Sequence, residues 1–424
     1  MRYISTRGTG VTFSLSDALE IGLAPDGGLI VPSEFPEPVG DSFKGGETLH
    51  EVAVRLLEPF FEDDTLAPQL EEICCAAFNF PIPLKDLSRE TSVLELFHGP
   101  TAAFKDVGAR FLAECLSRMA RVDQRPLTVL VATSGDTGGA VAAAFHGKLG
   151  IEVEVLFPKG MVSARQEKQL ATWGENVRAF AVEGDFDDCQ RLVKEAMADP
   201  ELGRRRRLSS ANSINVGRVL PQMIYYAFAG LEYRRRHGVE PGFIVPSGNL
   251  GNAVAATWTK RMGLPLREIV LATNSNRSIS AFIDGGNWQV FPTVGTLATA
   301  MDVGSPSNME RLLHFFGGEA GTRQALRACS VTDDDIQRVI SQGQEQWGEI
   351  WDPHTATAVA ARERLENHNW VIVATADPAK FEKIVEPLIG QTLPIPLSLK
   401  LMLDRPSHAF PLPPRLDAFK AALG

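Results

Sequence analysis

The sequence predicts an α/β protein: mostly parallel sheets covered by helices, preceded by a small α-rich N-terminal unit. Three observations predict it. From about residue 92 onward, short apolar runs alternate with helix-length segments. Most of those runs are apolar at successive positions, as in strands covered on both faces. Pro81 and Pro83 interrupt the chain just before Leu84, setting apart a first stretch of different character.

That first stretch holds a turn-rich Ala24-Pro25-Asp26-Gly27-Gly28 leading into the apolar Leu29-Ile30-Val31. Residues 1–90 are assigned to the N-terminal unit and residues 91–424 to the main α/β region. Strands are expected at 127–132, 152–157, 177–182, 243–246, 268–273 and 371–374. Helices are expected at 186–198, 216–236 and 252–262, and after the glycine-rich turn that follows residue 132. Sheets of this kind bind ligands beyond the carboxyl ends of their strands, so the loops after strands are where function is sought.

With 424 residues, 44% of them hydrophobic, the chain can bury a large core. Acidic residues outnumber lysine plus arginine 52 to 42, a net charge of −10 that disfavours a nucleic-acid binder. No apolar run reaches the roughly eighteen residues of a membrane span. The opening MRYISTRGTG does not read as a signal peptide. Cys74, Cys75, Cys115, Cys189 and Cys329 form no CxxC and suit a reduced, cytoplasmic protein. The eight histidines show no metal-ligand spacing, so no metal is expected.

Four segments carry candidate chemistry. Ser247-Gly248-Asn249-Leu250-Gly251-Asn252 follows an expected strand and opens an expected helix. Glycines let backbone curl close to a ligand, and a helix N-terminus offers free N–H groups, so this is a candidate phosphate cradle. Neither GxGxxG nor GKS/GKT is present, which disfavours dinucleotide and nucleoside-triphosphate loops. A plain strand–helix turn is the alternative. Thr133-Ser134-Gly135-Asp136-Thr137-Gly138-Gly139 offers hydroxyls and N–H groups to a small carboxylate, or is a turn capped by Asp136 or Thr137. Lys105, in HGPTAAFKD, sits among small and apolar neighbours; desolvation would free its amine as nucleophile or base. Thr375, after the apolar WVIVA, could point a hydroxyl at a ring from a strand end, or mark a strand exit before Pro378. Pyridoxal phosphate (PLP) needs a lysine for its aldehyde, N–H donors for its phosphate and a partner for its ring nitrogen, and these segments supply all three.

At these residues the chain resembles the threonine synthase family, of the shorter bacterial and fungal kind, over essentially its whole length. The resemblance is carried by YISTRG at 3–8, GLAPDGGLIVP at 22–32 and FHGPTAAFKD at 97–106. It continues through TSGDTG at 133–138, NSIN at 212–215, PSGNLGN at 246–252, DPHTA at 352–356 and ATADPAKF at 374–381. It implies a fold-type-II PLP enzyme whose main region has two subdomains with the cofactor between them. It implies Lys105 as the Schiff-base lysine and Gly248, Asn249, Leu250, Gly251 and Asn252 as phosphate ligands. Thr375 would meet the ring nitrogen, and Thr133, Ser134, Asp136 and Thr137 would face the substrate. The implied reaction takes O-phosphohomoserine and water to threonine and phosphate, by γ-elimination then β-addition, with no obligatory protein partner. A same-fold PLP lyase or dehydratase giving 2-oxobutyrate is the alternative. Leu250 stands where the family pattern has Phe, and Asp377 where it has His; Asp377 is expected to cap the following helix rather than reach the ring. Lys159, Arg165 and Lys168 are candidates for the substrate phosphate, although a surface role suits each better.

Overall fold

Two parallel sheets, each wrapped in helices, form the body of the chain in a computed structural model that describes residues 1–8, 10–120, 125–366 and 368–424. The larger sheet has six strands in the order Arg327–Ser330, Ile269–Thr273, Gly242–Pro246, Trp370–Ala374, Thr91–Glu95 and Leu84–Asp86. All its pairings are parallel except the last, an antiparallel hairpin. The smaller sheet is wholly parallel: Phe410–Leu412, Val177–Val182, Ile151–Pro158, Leu127–Ala132 and Arg207–Ser210. The central strands are buried at every position, as double coverage requires.

The expected strands appear with edges moved by at most about one residue, because their predominantly apolar runs are bounded by polar and turn-forming residues. Glu154 and Arg178, charged residues inside them, pair with each other across neighbouring strands. Thr91–Glu95 (TSVLE) and Arg207–Ser210 (RLSS) were not expected. Their composition is polar, and they become strands because a neighbour offers a register, which local sequence does not report. The helix Phe186–Ala198 matches its expected bounds, opened by a capping box in which Asp185 and Asp188 exchange backbone hydrogen bonds. The expected helix 216–236 is instead broken into Val216–Val219, a 3₁₀ turn Leu220–Gln222 and Met223–His237. Pro221 is the cause, since it has no N–H to give and its ring crowds the preceding turn.

The N-terminal unit holds helices Leu15–Ile21, Leu49–Leu57 and Leu70–Ala77. It also holds a three-stranded antiparallel sheet in which Tyr3–Ser5 lies between Thr12–Phe13 and Ile30–Pro32. The two segments YISTRG and GLAPDGGLIVP are thus paired strands with their turns. The hairpin of Leu84–Asp86 and Thr91–Glu95 spans residue 90 and ties the end of this stretch into the larger sheet. No helix among the described residues is long and apolar enough to cross a membrane.

Arg311 fastens the N-terminal sheet to the body. It is fully buried and donates to the Ile30 carbonyl at 3.2 and 3.1 Å, to Ser213 O at 2.8 Å, to Ile214 O at 2.6 Å and to Asn308 Oδ1 at 2.5 Å. Burial pushes the guanidinium down to about 9, so the site tolerates its charge only because these acceptors surround it. Arg311→Met would leave the buried Ile30 carbonyl and the part-buried carbonyls of Ser213 and Ile214 without this donor. The expected loss is about 2–4 kcal/mol of unfolding free energy, read as a lower urea midpoint at unchanged slope.

Candidate active site

The carboxyl ends of both sheets open onto one cavity, lined by the residues expected to hold cofactor and substrate: Lys105, Thr133, Ser134, Asp136, Thr137, the 248–252 loop and Thr375. Sequence distance between these segments is spanned by backbone pairing. Phe104 N–H donates to Thr375 O at 2.8 Å, and Asp377 N–H donates to Ala102 O at 3.0 Å, around a bridge between Ala103 and Ala376. Lys105 is thereby seated beside the end of the strand Trp370–Ala374. Ala102 takes a left-handed φ of 55° to make this turn, a strained conformation for a residue with a Cβ.

Lys105 is the first residue of the helix Lys105–Met119. Its side chain keeps part of its surface open to the cavity, while the surrounding protein mass desolvates the amine and lowers it to about 8. Asp136 opposes the shift; Arg218 and Lys380 add to it by repulsion. At pH 7 roughly a tenth of such an amine is neutral, far more than of an ordinary lysine. The next residue, Asp106, is buried and accepts from the Thr101 N–H at 2.8 Å and its hydroxyl at 2.7 Å. Burial outweighs those bonds and raises its carboxyl to about 6.

The 248–252 loop is built for close approach. A Cβ on Gly248 would lie 2.8 Å from Met301 Cα, and one on Gly251 3.3 Å from Ser213 Cβ. Leu250 is left-handed at φ 63° and buried, so it turns the chain into the helix Gly251–Arg261. Asn249 accepts from Ser307 N–H at 2.6 Å and donates to Ser213 Oγ at 2.6 Å. Asn252 Oδ1 accepts from the hydroxyls of Tyr225 and Tyr226, while its buried Nδ2 has no partner. The loop therefore presents N–H groups and a helix N-terminus to the cavity, with one unpaired amide donor buried behind them.

The loop at 133–139 is capped otherwise than expected. Thr133, not Asp136 or Thr137, supplies the cap: its hydroxyl oxygen accepts from the N–H groups of Gly135 and Gly138, both at 2.9 Å. Gly135 takes φ 138°, and a Cβ there would strike Gln166 at 2.4 Å. Asp136 pairs with buried Lys380 at 2.8 Å. Burial alone would raise the Asp136 carboxyl, but the charges of Lys380 and Lys105 hold it well below the usual carboxylate range. Asp377 caps the turn Pro378–Phe381 through Ala379 N–H at 2.8 Å, and burial raises its carboxyl. Lys159, Arg165 and Lys168 do not line the cavity; they pair with Glu183, Glu382 and the Arg405 carbonyl.

Three residues of the site carried no assigned role in the sequence reading. His354 Nδ1 faces Asp352 Oδ1 at 3.0 Å and its Nε2 accepts from Ala300 N–H at 3.0 Å, an arrangement that suits the neutral Nδ1–H form. Arg218 is buried beside Lys105, lowered to about 10 by desolvation, with a buried Nε that has no partner. Lys380 completes the set. The first two lie in or just after the segments DPHTA and NSIN, and Lys380 in ATADPAKF, but a buried charge is not visible in sequence.

Comparison with known proteins bears on this site. The model of the threonine synthase N terminus matches residues 2–78, that of PLP-dependent enzymes residues 80–376 and that of the threonine synthase C-terminal part residues 355–423. A threonine synthase of Serratia marcescens is 39% identical over 409 residues, 94% of each chain. The chain belongs to the threonine synthase family. The crystal structure of threonine synthase from Escherichia coli superposes with a TM-score of 0.90 at 36% identity, covering 100% of this chain and 99% of that one. A PLP-bound threonine synthase from Brucella melitensis gives 0.92 at 34% identity, covering 100% and 98%. The fold is thus that of the fold-type-II PLP enzymes, and the cofactor of this threonine synthase family member is PLP. Its site suits that group: a part-neutral amine, a cradle that a Cβ would fill and an unpaired buried amide donor stand around one cavity.

Two outcomes follow. The Lys105 amine titrates at about 8 when folded and near 10.5 when unfolded, so between those values the unfolded chain binds more protons and stability rises with pH. Below pH 8 the full penalty applies. Freed of cofactor, Lys105→Met is expected to be more stable than the parent at pH 7 by about 1–3 kcal/mol, with the gap closing towards pH 10.5 in urea titrations. Asp377→Asn keeps a capping side chain, so it should cost under about 1 kcal/mol and leave the cofactor's visible absorbance unchanged.

Proposed function

We propose that the chain converts O-phospho-L-homoserine and water to L-threonine and inorganic phosphate, with PLP held between the two sheets. The observation that carries this reading is the Lys105 amine, set at the carboxyl edge of one sheet and facing a glycine-lined helix N-terminus across a single cavity. In this reading the 1–90 unit serves a catalytic region at 91–424. Lys105 holds the cofactor aldehyde, the N–H groups of residues 248–252 hold its phosphate, and the Thr375 hydroxyl meets its ring nitrogen. When bound, the cofactor supplies an electron sink for substrate carbanions.

The remaining work falls to this chain's own groups. An amine near 8 can both take and return protons at working pH, which suits Lys105 to removing the substrate α-proton and returning it. A hydroxyl at Thr375 can donate to an uncharged ring nitrogen without adding charge. Ser134 and Thr137, beside the N–H groups of the Thr133-capped turn, offer donors to the substrate carboxylate. Arg218 brings a fixed positive charge to the wall of the same cavity, where the leaving phosphate carries negative charge. Phosphate departs with the electron pair of its Cγ–O bond, and water supplies the hydroxyl at Cβ. All five cysteines are free, which suits a reducing cytoplasm.

Purified protein given O-phosphohomoserine should release threonine and phosphate in equal amounts; mainly 2-oxobutyrate and ammonia would support the lyase reading instead. Borohydride should trap the cofactor on Lys105, and Lys105→Ala should lose turnover by about a thousandfold or more. A reduced adduct mapped to another lysine would overturn the assignment.

A further inference from the structure

Asp136 and Lys380 come from different sheets. Asp136 opens the helix Asp136–Phe145 that follows the strand Leu127–Ala132 of the smaller sheet. Lys380 lies in the turn Pro378–Phe381 beyond the strand Trp370–Ala374 of the larger one. Their charged groups meet at 2.8 Å with side chains only 5% and 1% exposed. Lys380 Nζ also donates to Thr101 O at 2.9 Å. Thr101 in turn gives its N–H and its hydroxyl to Asp106, the residue after Lys105. An unbroken run of polar contacts therefore leads from the substrate-side loop, through Lys380, to the start of the lysine's helix.

We propose that Lys380 is a positioning residue: it ties the 133–139 loop of one sheet to the Lys105 helix of the other, and supplies the positive charge that balances Asp136 beside the Lys105 amine. The charged groups facing Lys105 are Asp136, Arg218 and Lys380; Asp136 faces the charges of Lys380 and Lys105 and the imidazole of His354; Asp106 meets Lys380, Arg110 and Arg218. Within this set Lys380 and Asp136 act on Lys105 with opposite sign. Removing one leaves the other buried and uncompensated, whereas removing both leaves a neutral site. The proposal rests on the functional reading only in taking the cavity as the cofactor site.

The test is a pair of single variants and their combination, read in the holoenzyme as the pH midpoint of the bound cofactor's visible absorbance. Lys380→Met leaves Asp136 unbalanced, which favours a proton on the nitrogen of Lys105, and should raise the midpoint by about one pH unit. Asp136→Asn leaves Lys380 unbalanced and should lower it by a similar amount. The double variant should return towards the parent, and Lys380→Arg, which keeps the charge, should stay near it. A variant that does not retain cofactor is read instead by the pH dependence of acetic anhydride labelling at Lys105, followed by peptide mass spectrometry, with the same opposed shifts expected. Shifts of the same sign in both single variants, or no shift in either, would overturn the proposal, because a purely structural contact would lower stability without an opposed titration. If the parent showed no visible band while the labelling midpoints still moved apart, the cofactor reading would fail and the role of Lys380 would stand.

Discussion

Two backbone hydrogen bonds, Phe104 N–H to Thr375 O and Asp377 N–H to Ala102 O, set the geometry on which the site depends. They join segments some 270 residues apart in sequence, and they place an amine and a hydroxyl at the mouth of one cavity. Backbone pairing suits this task, since it fixes both segments without relying on long side chains that would lose rotamer freedom. The cost is a left-handed alanine at 102, a strain that the surrounding structure must hold in place.

Around that join the site is unusually rich in buried charge. Lys105, Asp106, Asp136, Arg218 and Lys380 all lie in or beside the cavity wall, with Arg311 one layer further out. Each is expensive to desolvate, and each is matched by a partner of opposite charge or by carbonyl acceptors. Two donors on cavity-lining residues, Arg218 Nε and Asn252 Nδ2, are buried without a partner.

The N-terminal unit reaches this arrangement at second hand. Ile30 accepts from Arg311, which holds the carbonyls of Ser213 and Ile214, while Ser213 bonds the side chains of Asn249 and Asn308. The strand Ile30–Pro32 thus bears on the 248–252 loop through one guanidinium. That gives the YISTRG and GLAPDGGLIVP segments a physical link to the site although none of their residues lines the cavity.

What the sequence determined by itself is the set of predominantly apolar strands and the loops that follow them. An uninterrupted run such as LTVLVA can be stable only when covered on both faces, and a glycine-rich turn after it can only be an approach for backbone or ligand. The 248–252 loop, the 133–137 residues and Thr375 were legible as cavity-lining for that reason, and Lys105 from its small and apolar neighbours. The polar strands Thr91–Glu95 and Arg207–Ser210 were not, because pairing with a neighbour outweighs weak local preference. Nor was the role of Pro221 in dividing a helix, or Thr133 rather than Asp136 as the cap, since each depends on where the chain turns. The charges of Arg218, Asp136 and Lys380 were decided by tertiary structure alone. A lysine or aspartate reads as a solvated group until folding brings an opposite charge within 3 Å and removes the water, and only then do its proton affinity and its role differ from those of any other.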